Sequence, residues 1–271
     1  MSRVLMALLA ASSLAACASA GHPVAANANS DRSVADATSG APAHVRPIDR
    51  HARQAIERED MLTQMAFWAG EYQTFPNDLE AAQRFAECLR KGGRFDRSIQ
   101  VSGEALGRFP DDRTLMNTFA LAQIASGNPH EALRPLAVVA AADAQNWHVR
   151  LALGAALDQL GRYTEARQAY QEALAISPNN ARVMTNLGVS HIMAGEPADA
   201  EPILRQAAAA QDAPPEAREN LAIALALQGK FDEAQQIESV DLPPAQAAQN
   251  MQYLRGLLSD PRSWRDLRSP S

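Results

Sequence analysis

Apolar and small side chains recur at a fixed spacing between residues 79 and 248, and this spacing predicts paired helices. A large apolar residue returns every 34 residues, as Phe85, Phe119, Leu153, Leu187 and Leu221. The residue that follows it is always small, as Ala86, Ala120, Gly154, Gly188 and Ala222. A second small position lies twelve residues further on, as Ser98, Ala132, Ala166, Ala200 and Ala234. Two helices that carry small residues at facing positions can pack closely.

Glycine marks the predicted turn between the two helices of each pair. It recurs at the same interval of 34 residues, as Gly93, Gly127, Gly161, Gly195 and Gly229. A helix commonly ends on a residue with positive φ, which glycine adopts without steric cost. A period of 34 residues with these columns is that of the tetratricopeptide repeat (TPR). The sequence therefore predicts an all-α fold, a TPR α-solenoid with N- and C-terminal capping helices.

The same frame predicts the domain boundaries. Residues 48–78 precede the first frame and predict an N-terminal capping helix or half-repeat. Residues 245–259 follow a Pro-Pro pair that interrupts the fifth repeat, and they predict a C-terminal capping helix that overlaps its end. Residues 260–271 are interpreted as a tail. The five repeats in the 79–248 region are 79–112, 113–146, 147–180, 181–214 and 215–248.

The N-terminal segment has the layout of a secretory signal peptide over residues 1–16. It ends in Leu14-Ala15-Ala16 before Cys17, which resembles the lipobox of bacterial lipoproteins and implies lipidation of Cys17. Residues 17–47 lack an apolar period and predict a lipidated, disordered tether. By resemblance to known sorting rules, alanine after the cysteine implies the periplasmic face of the outer membrane. The alternative is ordinary cleavage after residue 20, which would release a soluble periplasmic protein.

Composition excludes several classes of function. A formal net charge of −6 gives no electrostatic reason to expect nucleic acid binding. Two cysteines, Cys17 and Cys88, cannot form a disulfide framework, and Cys88 lies in a column that requires a small buried residue. No nucleophile elbow, phosphate loop or histidine spacing typical of a metal site occurs. We therefore expect no catalytic residue, metal, cofactor or small-molecule substrate, and a protein that is not an enzyme.

The first helix of each repeat carries the candidate binding surface. Solenoids of this type bind protein segments on their concave face, which the first helices line. Apolar residues flanked by asparagines favour an apolar or amphipathic protein ligand, whether helical or extended. The alternative is that some of these residues pack against neighbouring helices. The predicted partner-binding groove consists of Asn117, Leu121, Ile124, Asn186, Val189, Ile192, Met193, Asn220, Ile223 and Leu227.

Four features together resemble the TadD-like lipoproteins of the tight adherence (Flp) pilus. They are the lipobox at Cys17, the repeats, the stretch 220–222 continuing through 229–234, and the segment 241–248 followed by 253–255. The resemblance implies an outer-membrane lipoprotein that assists pilus assembly as a pilotin-like factor binding the outer-membrane secretin. The alternative function is a periplasmic scaffold that regulates peptidoglycan synthesis or outer-membrane protein assembly.

Overall fold

The computed structural model describes residues 50–259, which contain thirteen α-helices and no β-strand. The predicted signal peptide, Cys17, the predicted tether and the predicted tail lie outside the described residues. In chain order the helices are α1 (Arg50–Ile56), α2 (Met61–Thr74), α3 (Leu79–Lys91), α4 (Phe95–Arg108), α5 (Arg113–Ala125), α6 (Pro129–Ala142), α7 (Trp147–Gln159), α8 (Tyr163–Ile176), α9 (Ala181–Met193), α10 (Pro197–Ala209), α11 (Pro215–Leu227), α12 (Phe231–Glu238) and α13 (Pro244–Ser259).

Helices α3 to α12 form five consecutive hairpins, one for each 34-residue frame. Each hairpin packs against the next. The first helices α3, α5, α7, α9 and α11 also contact one another in succession along the chain. They therefore line the inner, concave face of an α-solenoid, and the all-helical solenoid predicted from the sequence is confirmed.

The turns inside the hairpins are built on the five recurring glycines, whose φ angles lie between +72° and +83°. In the third repeat, the backbone N–H of Arg162 donates to the carbonyl of Leu157 at 2.9 Å, and that of Gly161 donates to Asp158 at 2.9 Å. This pairing satisfies carbonyls that the end of α7 would otherwise leave without a partner. A side chain with a Cβ would be strained at this φ.

The small columns bring the two helices of a hairpin into close contact. Gly154 of α7 faces the ring of Tyr170 in α8, and Gly188 of α9 faces the side chain of Leu204 in α10. A Cβ at Gly188 would lie only 2.5 Å from Cγ of Leu204, which is too near for an ordinary contact. Helix packing at these two positions therefore depends on glycine.

Two helices precede the first repeat, and an ionic cluster joins them to it. The Arg53 side chain of α1 is 5% exposed and lies 5.4 Å from the centre of the Trp68 ring in α2. It donates to the carboxylates of Glu71, Asp78 and Glu80 at 2.6, 2.7 and 2.7 Å. These charge-assisted hydrogen bonds hold α1 over the N-terminus of α3.

Helix α13 closes the other end of the solenoid. It packs against α11 and α12, with Met251 buried and Leu254 and Leu257 half-buried against the same apolar cluster. The helix begins at Pro244, one residue before the predicted boundary. Among residues 50–259, no helix combines the length and apolarity that crossing a membrane requires.

Candidate protein-binding groove

The ten side chains predicted to form the groove fall into two groups that differ in how deeply they are buried. Four are half-exposed on the first helices and can contact a ligand, namely Asn117, Leu121, Asn186 and Leu227. Six are buried, namely Ile124, Val189, Ile192, Met193, Asn220 and Ile223. The accessible groove is therefore narrower than the sequence analysis predicted.

The buried apolar members fill the interior between successive hairpins. Val189, Ile192 and Met193 of α9 belong to one apolar cluster with Ile223 of α11. Ile124 belongs to the cluster between the second and third repeats. Because each first helix contacts the next first helix, side chains on that flank are covered by the neighbouring repeat. For these residues the burial agrees with the alternative that they pack against neighbouring helices.

Asn220 is the exception among the buried members because its amide is polar. Its side chain is 1% exposed, and Oδ1 has no hydrogen-bond partner among the described residues. An unsatisfied buried acceptor costs about 1–3 kcal/mol. The corresponding Asn186 amide, by contrast, donates to the carbonyl of Arg182 at 2.9 Å. Asn220 thus places an unpaired acceptor at the inner helix layer of the fifth repeat.

Charged side chains that the sequence analysis did not select also line the first helices. Partial desolvation lowers the pKa of His148 in α7, and the positive charge of Arg182 in α9 lowers it further. The two residues occupy the same column of successive repeats, so they belong to one row on the inner face. Partial desolvation raises the pKa of Glu219 in α11, and Glu216 and Glu238 raise it further. The lowered pKa keeps His148 uncharged near neutral pH, so the positive charge of this row is that of Arg182 in repeat four, whereas repeat five carries Glu216 and Glu219.

A buried carboxylate joins the third and fourth repeats. Asp158 of α7 is 6% exposed, and it accepts hydrogen bonds from Tyr170 at 2.8 Å and from Ser190 at 2.7 Å. Burial raises the pKa of Asp158 to about 6, although both hydrogen bonds and the charge of Arg167 act in the opposite direction. The sequence alone does not reveal this site, because a lone aspartate in a helix carries no motif.

The turn of the fourth repeat gathers His191, Glu196 and Asp199, whose ligand-type atoms lie within 4.8 Å of one another. His191 Nδ1 lies 2.8 Å from Oε2 of Glu196. Arg167 places Nη1 3.1 Å from the same oxygen. A guanidinium already occupies this carboxylate and repels a cation, so the arrangement is that of an ion-pair network.

Comparison with known proteins agrees with this architecture. Sequence models described as tetratricopeptide repeat match residues 117–181, 159–215 and 215–237. The TPR repeat-containing protein PA4667 of Pseudomonas aeruginosa is 29% identical over 123 residues, which are 45% of this chain. The match spans only 21% of that relative's length.

Solved structures with the same fold include two bacterial proteins. TTC0263, a thermophilic TPR protein of Thermus thermophilus, is 23% identical with a TM-score of 0.54, over 69% of this chain and 98% of that one. MamA from Desulfovibrio magneticus is 17% identical with a TM-score of 0.53, over 58% of this chain and 89% of that one. At these identities the likeness concerns the fold alone.

The helical hairpins, the positive-φ glycines and the matching repeat models agree with one another. TPR solenoids have an inner face suited to protein segments. Residues 117–237 match tetratricopeptide-repeat models, and residues 50–259 have the fold of a TPR α-solenoid.

Proposed function

We propose that the chain is an adaptor that binds a segment of a partner protein on the inner face of its solenoid. The observation that carries the proposal is the row of half-exposed amide and leucine side chains on α5, α9 and α11, at Asn117, Leu121, Asn186 and Leu227. Amides can both donate to and accept from a peptide backbone, and leucines can cover an apolar side chain of the ligand. The polar and apolar contacts together suit an amphipathic segment.

Charged side chains on the inner face favour one binding direction for that segment. Arg182 favours an acidic residue in the ligand at repeat four. Glu216 and Glu219 favour basic residues at repeat five. A ligand with one acidic and one basic end would bind in a single direction, because the reverse orientation would place like charges together.

Substitutions on the exposed part of the groove test this proposal. Leu121→Asp combined with Asn186→Ala should abolish partner binding, and circular dichroism checks that the repeats stay folded, because the half-exposed Leu121 also packs against the cluster of repeats two and three. Val138→Asp on α6 is the matched control, because Val138 is 43% exposed and lies on a second helix. Ile192→Asp is unsuitable, because Ile192 is 2% exposed and the variant would test folding. Binding that survives the double substitution in a folded protein would rule out this surface.

The cellular location we propose is the periplasmic face of the outer membrane, through lipid on Cys17. The support is the lipobox-like sequence alone. A flexible tether over residues 17–47 would span roughly 30 Å, so the solenoid could reach a partner beyond the lipid head groups. Membrane fractionation of a Cys17→Ser variant tests the anchor, since the variant should leave the membrane fraction. Retention of that variant in the membrane would contradict lipid anchoring.

The partner we propose is the secretin of a tight adherence pilus, which the chain would help to assemble. The support is the resemblance carried by the lipobox at Cys17, the repeats, the stretch 220–222 through 229–234, and the segment 241–248 followed by 253–255. Deletion of the gene should remove heat-stable secretin multimers from the outer membrane, and the Val138→Asp variant should restore them. Normal multimers after deletion would exclude this role and favour the alternative scaffold for wall synthesis or outer-membrane protein assembly.

A further inference from the structure

An open, mostly apolar pocket of about 520 Å³ lies between α13 and the last hairpin. Its walls are Ala226 and Leu227 of α11, Phe231 of α12, and Arg255 and Leu258 of α13. The guanidinium of Arg255 lies 4.7 Å from the centre of the Phe231 ring, so it covers one face of that ring. A pocket of this size and lining can accept a large aromatic side chain.

We propose that the chain's own C-terminal segment, residues 260–271, occupies this pocket through Trp264, with Leu267 as a second apolar contact. The segment has the required chemistry, because Trp264 is its one aromatic residue and Leu267 its one large aliphatic residue. A tryptophan buries a large apolar area and gains from contact with an aromatic ring or a guanidinium. Phe231 and Arg255 supply both partners.

The length of the segment permits this contact. Ser259, the last described residue, is itself part of the pocket lining. Trp264 lies five residues further along the chain. Five extended residues span at most about 17 Å, which is ample for the chain to turn back over Leu258. Docking therefore requires no rearrangement of α13.

Charge favours the same occupant. Between residues 211 and 259, seven acidic side chains outnumber three basic ones, whereas residues 260–271 contain three arginines and two aspartates. Asp232 follows the lining residue Phe231, is 98% exposed and forms an ion pair of 3.7 Å with the lining residue Arg255. An arginine on either side of Trp264, Arg262 or Arg265, could share this exposed carboxylate. Tethering also raises the effective concentration of the segment, so a weak contact suffices.

Docking of this segment would cover Leu227, which also belongs to the predicted groove. The tail would therefore shorten the accessible inner face at repeat five until a ligand displaces it. This inference goes beyond the proposed function, and it needs no partner protein.

Fluorine NMR on the full chain labelled with 5-fluorotryptophan tests the proposal. The protein contains three tryptophans, Trp68, Trp147 and Trp264, and Trp264→Phe identifies the third signal. We expect the Trp264 signal to be shielded from a soluble paramagnetic quencher. Leu258→Glu, which charges the pocket wall, should increase its accessibility about tenfold. Tyr253→Glu is the matched control, since Tyr253 is 57% exposed on α13 and is not part of the pocket lining.

A second measurement keeps the proposal testable if Leu258→Glu fails to fold. Trp264→Ala leaves the pocket intact, and we expect faster amide hydrogen exchange at residues 226–231 than in the parent chain. Equal accessibility of Trp264 in the parent and in Leu258→Glu, or unchanged exchange in Trp264→Ala, would overturn the proposal. Shielding that disappears on dilution would also overturn it, because a second copy would then supply the segment. Neither readout involves a partner, so failure here leaves the proposed groove function untouched.

Discussion

Substitution of Gly154 by alanine tests the close packing on which each hairpin depends. A Cβ at this position would lie 2.7 Å from Cδ1 and Cζ of Tyr170, well inside van der Waals contact. The Tyr170 ring cannot move aside easily, because it is 1% exposed and its hydroxyl is bonded to Asp158 at 2.8 Å. Relief therefore requires the two helices to separate.

The expected magnitude follows from two opposing contributions. Overpacking of a filled core costs about 1–3 kcal/mol, whereas glycine to alanine inside a helix contributes about 1 kcal/mol of stability. The contact at Gly154 is severe, so we expect a net loss of about 1–2 kcal/mol in the free energy of unfolding. Gly103→Ala is the matched control, because Gly103 is exposed within α4 and its Cβ would meet Phe119 at an ordinary 3.7 Å. The free energy of unfolding of Gly103→Ala should rise by about 0.5–1 kcal/mol.

Equilibrium urea unfolding of residues 48–271, followed by circular dichroism, measures both variants. The midpoint should fall for Gly154→Ala and rise for Gly103→Ala. If the unfolding midpoint rose in both variants, helix propensity alone would explain the changes. The claim of close packing between α7 and α8 would then be refuted.

Two further predictions concern buried ionisable groups. Burial raises the pKa of Asp158 from 3.8 to about 6, so its contribution to stability is present at low pH and is lost as pH rises through about 6. The loss between about pH 4 and pH 8 amounts to about 3 kcal/mol. Asp158→Asn should flatten the dependence of unfolding free energy on pH, and an unchanged slope in this variant would contradict the assignment. Burial also raises the pKa of the Cys88 thiol, which is 6% exposed. Thiol labelling of folded protein should therefore be about hundredfold slower than in urea, and equal rates would show that the first repeat opens freely.

The repeat architecture could be predicted from the sequence because its turns impose a strict chemical requirement. A positive φ at Gly161 and its four equivalents favours glycine, so the spacing of that residue reveals the period. The small columns were also visible, since residues such as Gly188 face a large side chain of the next helix. These requirements are local to one hairpin, and one 34-residue frame contains them.

The accessible groove could not be predicted in the same way because it depends on contacts between repeats. Ile192 and Ile223 occupy columns of the inner helices, yet the neighbouring hairpin covers them. The pocket beside Phe231 depends on the position of α13, which lies outside the repeat period. Likewise, the Arg53 cluster joins carboxylates up to 27 residues away, without any motif.

Site-specific photo-crosslinking in cells tests the central claim, that the inner face of the solenoid binds a protein segment. A photoreactive residue at position 121 reports on the half-exposed inner face, and one at position 138 reports on the exposed surface of α6. The account predicts one defined adduct from position 121, identified by mass spectrometry as the secretin subunit, and none from position 138. An adduct from position 138 with none from position 121 would contradict it.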